Sequence, residues 1–281
     1  MTSILTNSSA MNALSTLRNI NNSLSNTQDR ISTGLKVASG KDNAAYFSIS
    51  STMKGDSGMT KAIDEGLTLT KNSVSTGRLG AETVADLARQ FVDRVAFAQA
   101  EGVDLDKVQE ELTELVGRMN NTIAQSTFNG ASTIAAVAGT AETVTVVTGI
   151  ARDAAGALST TSFSFDKADL RTVTAALGGI DVTAAVDAND LAAMLVTAET
   201  NLGLAVDGAT SLGIAEKSIE TQQSFLGELS KRLDNGIGGM IDADMESEAA
   251  RLQALQVQQQ LATQALSIAN QGPQNILSLF R

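Results

Sequence analysis

Leu191, Ala198, Ala205, Leu212, Ile219, Leu226 and Leu233 stand seven residues apart, and Leu195, Leu202 and Ala209 follow them at the alternate 3-4 spacing. A repeat sustained over six heptads requires one long helix with a partner along it, because the stripe would otherwise lie in water. At about 1.5 Å per residue the rod is about 65 Å long, more than a compact domain of this size needs. The chain is built for length.

A second rod supplies a partner. Met53, Leu67, Val74, Ala81, Ala88 and Val95 alternate with Ile63, Val84, Phe91 and Ala98 over a stretch that also contains Gly55, Gly58, Gly66, Gly77 and Gly80. Each glycine costs a helix about 1 kcal/mol relative to alanine, so the glycines make this rod depend on tertiary contacts or mark close helix approach. Gly102 ends it, and a shorter helix with Leu105, Val108, Leu112, Leu115, Met119 and Ile123 runs towards Asn129 and Gly130. The packing residues expected of these rods are Ile63, Leu67, Val84, Phe91, Leu112, Leu195, Leu202, Leu212, Ile219, Leu226 and Leu233. Between residues 131 and 188 the period becomes two, as in Thr143-Val144-Thr145-Val146 and Ser162-Phe163-Ser164-Phe165, which predicts a small strand-rich insertion. Asp187, Asn189 or Asp190 can cap the rod that follows.

The two ends differ from the rods. Leu14, Leu17, Ile20, Leu24, Ile31 and Leu35 form a helical seam, yet 18 of residues 1–34 are Ser, Thr or Asn, which prefer caps and turns, so this segment has little intrinsic tendency to be helical alone. Met245, Ala249, Leu252, Leu255, Ala262, Leu266 and Ala269 make the matching seam at the other end, with Gln256, Gln258, Gln259 and Gln260 between them. Pro273, the single proline, predicts a bend or fraying just before residues 277–281. The fold class expected is mainly α: a long antiparallel helical hairpin or coiled-coil bundle made by the N- and C-terminal segments, with a small β-rich central insertion. Its expected domains are 1–44 with 240–281, 45–130 with 189–239, and 131–188 at the surface. One chain provides no third layer over its terminal seams, so neighbouring copies are the natural cover.

Composition removes most chemistry. The chain has neither Cys nor His, so thiolate nucleophiles, disulfides, zinc-cysteine sites and the usual neutral-pH general base are all absent. An enzyme, a cofactor and a small-molecule substrate are therefore not expected. Net charge is -11, with the acidic excess confined to residues 41–244 and no basic cluster, which argues against nucleic acid or an anionic membrane as partner. No 18-residue apolar run and no basic, then apolar leader is present, so any route out of the cell uses no cleaved signal. Gly34 and Gly40-Lys41 do not make a phosphate loop, since the glycine spacing is one residue too long and Asp42 replaces the Ser or Thr. Asp242, Asp244, Glu246 and Glu248 alternate like calcium ligands but lack the central glycine and the acid at the twelfth position, and are expected to favour a helix N-terminus instead. The triplets beginning at Asn7 and Asn120 are too short to signify glycosylation; residues 159–164, rich in Ser and Thr, are a better place for O-linked sugar.

Three separated motifs are familiar. Asp29-Arg30-Ile31-Ser32-Thr33-Gly34-Leu35-Lys36 with Ser39-Gly40-Lys41-Asp42-Asn43-Ala44-Ala45, then Gln125-Ser126-Thr127-Phe128-Asn129-Gly130, and finally Ala269-Asn270-Gln271-Gly272-Pro273-Gln274-Asn275-Ile276-Leu277-Ser278-Leu279-Phe280-Arg281 resemble the signatures of bacterial flagellin. The resemblance covers about residues 1–130 and 190–281. It implies a self-polymerising subunit of the flagellar filament, used for motility, secreted through the flagellum's own type III apparatus and extracellular. It also implies a flagellar cap, a hook-filament junction protein and an export chaperone as partners. The polymerisation interface expected comprises Leu14, Leu17, Leu24, Ile31, Leu35, Leu252, Leu255, Leu266, Ile276, Leu277 and Leu279. A strong ligand of Toll-like receptor 5 carries an Arg-Glu-Leu-Ala type stretch on the first long rod. Here Arg89 is compatible, but Gln90 replaces an acid and Asp93 an apolar residue, which leaves Arg89 as the remnant of a weak receptor site. The alternatives are a hook-filament junction protein and a cytoplasmic coiled-coil signalling rod; the latter predicts a membrane segment and a helical tip.

Overall fold

The computed structural model describes residues 7–136, 142–153 and 156–279, with side chains through residue 271. The fold is mainly α, with long helices packed on one another and one two-stranded antiparallel sheet. In order these are α1 (Ser8–Thr33), α2 (Ala44–Ala98), α3 (Leu105–Gln125), β1 (Thr143–Arg152), β2 (Leu158–Asp166), α4 (Leu170–Gly178), a 3-10 turn over Val182–Ala184, α5 (Ala188–Ile241) and α6 (Met245–Leu279). Contacts divide the chain into two compact units, residues 56–231 and residues 1–55 with 232–281.

The larger unit is a heptad structure. Leu67, Val74, Ala81, Ala88 and Val95 of α2 are all buried at sevenfold spacing, as are Val84, Phe91 and Ala98 in its second seam. From α5, Ala198, Ala205, Leu212, Ile219 and Leu226 bury the facing row, while Ile63, Leu191, Leu195 and Leu202 pack on its edge half-buried. The antiparallel register is fixed by polar contacts at both sides: Gln223 Nε2 donates to Thr68 Oγ1 at 2.8 Å, Lys71 pairs with Glu220 at 2.9 Å, and Arg78 Nε donates to Glu216 Oε2 at 2.7 Å. Lys71, and then Lys217, hold the Glu220 carboxyl below its ordinary range. Helix α3 completes the core with Val108, Leu112, Leu115, Met119 and Ile123, and Arg94 reaches Glu111 at 3.1 Å. Leu233 falls in the other unit, half-buried and outside both apolar clusters.

Among the described residues, strand in the central insertion is confined to β1 and β2, and helix follows them. Val144, Val146, Phe163 and Phe165 turn inward from the β1-β2 hairpin, with the two phenylalanine rings 6.1 Å apart. Arg152 ties the hairpin to α2 through Asp56 at 2.6 to 3.2 Å, and Gln222 of α5 donates to the Thr148 carbonyl at 2.7 Å. Residues 170–178 are a helix where period two predicts more strand. Leu170, Val173, Thr174 and Leu177 recur at 3-4 spacing and are buried, and Asp169 caps the first turn by accepting from Thr172 N at 3.1 Å. Gln109 of α3 then clasps the next segment, donating to the Ile180 carbonyl and accepting from Val182 N. The insertion therefore shares the core of residues 56–231 and is no separate body.

Helix ends follow local chemistry. Asp187 accepts from the amides of Asn189 and Asp190 to begin α5, while Asp190 reaches back to Val186 N. Asp104 opens α3. Serines and threonines inside the helices donate to the carbonyl four residues earlier, as Thr16 does to Asn12, Thr33 to Asp29, Thr76 to Asn72, Thr83 to Leu79, Thr210 to Val206 and Ser224 to Glu220. Pro273 does not end α6, which continues to Leu279; a proline removes one amide donor, and a helix can survive that loss with a kink.

The glycines of α2 divide into two kinds. A methyl group on Gly55, Gly58 or Gly66 would meet nothing within 4 Å, whereas at Gly80 it would lie 2.6 Å from Ser126 Cβ and 2.9 Å from Ile134 Cδ1. Gly77 is closed off in the same way by Thr133. The chain after α3 is thus seated on α2 where two side chains are missing. Gly66→Ala is expected to raise stability by about 0.5–1 kcal/mol and Gly80→Ala to lower it by about 1–3 kcal/mol, measured by urea unfolding of the full chain.

Candidate functional site

The terminal unit is built around two weak helices. Asn7 starts α1 by accepting from Ala10 N at 3.1 Å, and the same side chain donates from Nδ2 to the Ala269 carbonyl at 2.8 Å. Gly34 closes the helix in the left-handed region at φ 72°, its amide bonded to the Arg30 carbonyl. The chain then reverses along the α5-α6 junction, with Lys36 N and Val37 N donating to the Ile241 carbonyl and Ala243 N to that of Gly34. A small core of Val37, Ile237 and Ile241, packed by Leu35, Met53 and Met240, sits at this turn. Asp42 accepts from Ser39 and Ala38 there, and the Ser39 bonds in particular hold its carboxyl below the ordinary value. The stretch from Gly34 to Lys41, whose spacing fails as a phosphate loop, is a turn between α1 and α2 closed by the Asp42 carboxylate.

Helices α1 and α6 run antiparallel, fixed by Asn7 on Ala269, by Gln259 Nε2 donating to Asn21 Oδ1 at 2.8 Å, and by Arg30 Nη1 donating to Glu248 Oε1 at 3.1 Å. Leu17, Ile20, Leu24 and Ile31 face Leu252, Leu255, Ala262, Leu266 and Ala269, but only Thr27, Glu248 and Leu255 become buried; the other apolar groups of the seam stay half-covered. Two helices side by side cannot close such a seam, since each stripe is wider than one line of contact. Among the expected interface residues, Leu14 remains exposed and Leu35 turns inward to the small core, because Gly34 ends α1 before it. The side chains of Ile276, Leu277 and Leu279 lie outside the described residues.

Two features differ from the sequence reading. Ala249 is exposed and Glu248 takes its place in the seam, drawn in by Arg30. Asp244 accepts from Glu246 N and Ser247 N and so caps α6, which gives the acidic row its role at the helix N-terminus. No group of three or more His, Cys, Asp or Glu among the described residues could hold a metal ion. Nor is α6 backed by glutamine alone: Ala254, Val257, Leu261, Ala265 and Ile268 form a second stripe at 3-4 spacing, about 120° round the helix from the first, and all are exposed, Ile268 at 65%. Tyr46, Phe47 and Ile49 at the start of α2 are exposed as well. The second stripe was legible as a repeat; the intervening glutamines hid it.

Elsewhere, a groove along α2 and α5 is lined by Arg78, Glu82, Arg89, Val206, Ile214 and Glu216. Arg89 is exposed on it and pairs with Asp86 at 2.8 Å. No helix of the described residues is long and apolar enough to cross a membrane.

Comparison with known proteins places this arrangement. The family model of the bacterial flagellin N-terminal helical region matches residues 4–138, and that of the C-terminal helical region matches residues 195–280. A flagellin of Brucella melitensis biotype 1 is 38% identical, and flagellin C of Rhizobium meliloti 33% identical, each alignment covering the whole of both chains. Among solved structures, a flagellar hook-associated protein of Vibrio parahaemolyticus shares the fold at a TM-score of 0.54 and 10% identity, over 72% of this chain and all of that one.

The buried acid makes the α1-α6 pair asymmetric, since the Glu248 side chain is 11% exposed and that of Arg30 34%. Arg30→Ala strands a carboxylate that water barely reaches and is expected to cost about 1–3 kcal/mol, whereas Glu248→Gln leaves a guanidinium that solvent can serve and costs less. Amide exchange of the α1 residues around Ile31 reads both, and the reverse order would contradict the arrangement.

Proposed function

This chain belongs to the bacterial flagellins, and from that membership we propose that α1 and α6 are its polymerisation elements, completed as helices by neighbouring copies. The protein is a structural subunit of the flagellar filament, and its relatives are structural proteins. One observation carries the reading of the ends: α6 has two separate apolar stripes, and α1 half-covers one of them while the other stands in solvent.

The energetics favour assembly over isolation. Full burial of an exposed Val, Leu or Ile yields about 1.5–3 kcal/mol, so covering Val257, Leu261 and Ile268 supplies on the order of 5 kcal/mol per copy against the cost of ordering two intrinsically poor helices. Leu14, Leu17, Leu24, Ile31, Leu252, Leu255 and Leu266 form the half-covered α1-α6 seam that a neighbouring copy would close from its open side, and Ile276, Leu277 and Leu279 join the interface from the flagellin resemblance alone. Residues 1–44 with 240–281 form the filament core, residues 45–130 with 189–239 the surrounding rods, and residues 131–188 the outward part. Unassembled weak ends suit an unfolded passage through the flagellar export apparatus with an export chaperone, followed by addition under the cap and attachment through the hook-filament junction protein. Uncharged Ser, Thr, Asn and Gln along the ends suit a lumen through which an unfolded chain slides.

Removing residues 1–40 or 245–281 is expected to leave a soluble protein with a helical middle that forms no filaments, seen by electron microscopy after adding a nucleating salt. Val257→Asp with Leu261→Asp is expected to abolish filaments while leaving the amide protection of residues 56–231 unchanged. Filaments from either variant would refute the assignment. Arg89 with Gln90 and Asp93 is read as a weak remnant of an innate-receptor site; a Toll-like receptor 5 reporter is expected to respond at least about tenfold less sensitively than to a strong agonist flagellin, a loss of about 1.4 kcal/mol or more in recognition.

A further inference from the structure

Helix α2 changes character where it passes from one compact unit into the other, between Gly55 and Asp56. From Leu67 onward its buried side chains are apolar, whereas before Leu67 the buried positions are Ser50, Ser57 and Thr60. Ser50, Thr52 and Thr60 donate to the carbonyls of Phe47, Ser48 and Asp56, and hydroxyls bonded to their own helix in this way often bend it. Gly55 and Gly58 lie in the same stretch, and no close neighbour explains them, since a methyl group on either would meet nothing within 4 Å. Glycine among serines is a common cause of helix kinks, because the backbone turns freely there and no side chain stiffens it. Helix α5 crosses the same division with Gly227 before it and Gly239 after it, both equally open.

One strong contact lies inside this stretch. Arg152, at the end of β1, donates to the Asp56 carboxylate from Nε at 3.0 and 3.2 Å and from Nη2 at 2.6 Å, while its Nη1 donates to the Gly156 carbonyl at 3.2 Å. The Asp56 side chain is 19% exposed, so the pair is shielded from solvent on one side, and its forked geometry holds direction as well as distance. A rigid fork from the hairpin thus grips α2 at the residue that stands between its two open glycines.

We propose that α2 carries a hinge at Gly55–Gly58 which Arg152 restrains, so that the central insertion limits how freely the terminal unit turns while a copy joins a filament. Its use in assembly rests on the assignment of α1 and α6 as polymerisation elements; the hinge itself does not. A restrained hinge leaves fewer orientations to be lost when the α1-α6 pair docks, and a free one leaves more. Alanine at the two glycines stiffens the helix directly and makes the Arg152 restraint dispensable.

The test uses the full chain, which has no cysteine of its own, with nitroxide labels on Ser51→Cys and Thr160→Cys. Arg152→Ala is expected to widen the distance distribution between the labels about twofold and to slow elongation from sheared filament ends about threefold. Adding Gly55→Ala with Gly58→Ala is expected to return both to the parental values, whereas adding Gly203→Ala, at an equally open glycine in the body of α5, returns neither. Asp56→Asn reads the same bond from the α2 side and is expected to match Arg152→Ala. An unchanged width in Arg152→Ala, no rescue by the alanine pair, or equal rescue by Gly203→Ala would each overturn the proposal. Labels on Asn72→Cys and Thr160→Cys, both beyond the hinge, are expected to keep their distance in Arg152→Ala; widening there would mean that the hairpin itself had come loose and would also overturn it. Failure of the parent to elongate would remove the polymerisation assignment, while the label distances still decide the hinge.

Discussion

Alanine sets the spacing on which the rods depend. In α2 the buried seams alternate Leu67 and Val74 with Ala81, Ala85, Ala88 and Ala98, and α5 answers with Ala198, Ala205 and Ala215 among Leu212, Ile219 and Leu226. Small residues let two helix axes approach, so the larger neighbours interdigitate and the flanking Arg78, Lys71 and Gln223 reach across to their partners. The seam accounts for the low aromatic content: Phe91 is the one fully buried aromatic side chain in it, and a row of rings would hold the helices apart.

The terminal unit solves the opposite problem. Its helices carry apolar stripes of the same spacing, but the parts of α2 and α5 in that unit pack on Leu35 and Val37 at the turn, and most of the facing leucines stay half-exposed. Polar contacts do the registering: the Asn7, Asn21 and Arg30 bonds to α6 are specific in position and modest in energy. Such a pair is aligned before it is covered. That suits a flagellin, whose copies polymerise and have this apolar surface left to bury.

Periodicity made the rods legible because a buried heptad leaves few alternatives: Leu67, Val84, Phe91, Leu112, Leu212, Ile219 and Leu226 lie in the core as their spacing demands. It failed where a second pattern overlaid the first. Residues 170–178 are too short to outweigh the surrounding period of two, and only the Leu170, Val173 and Leu177 spacing with Asp169 before it betrays a helix. Glu248 displaced Ala249 from the seam because a cation 218 positions earlier was waiting for it, a pairing no local pattern can express. The glycines posed the same difficulty: Gly66 and Gly80 look alike in the chain, and only the approach of Ser126 and Ile134 separates them.

Hydroxyls bonded to their own helix have a consequence for any surface that another molecule covers. Thr16 and Thr33 in α1, like Thr83 and Thr210 in the rods, already spend their protons on carbonyls one turn back. What they present outward is a methyl group and a lone pair with no proton left to place. A sequence that reads as hydrophilic can therefore be sheathed by another molecule with little dehydration penalty, and the chain remains water-loving while it is alone.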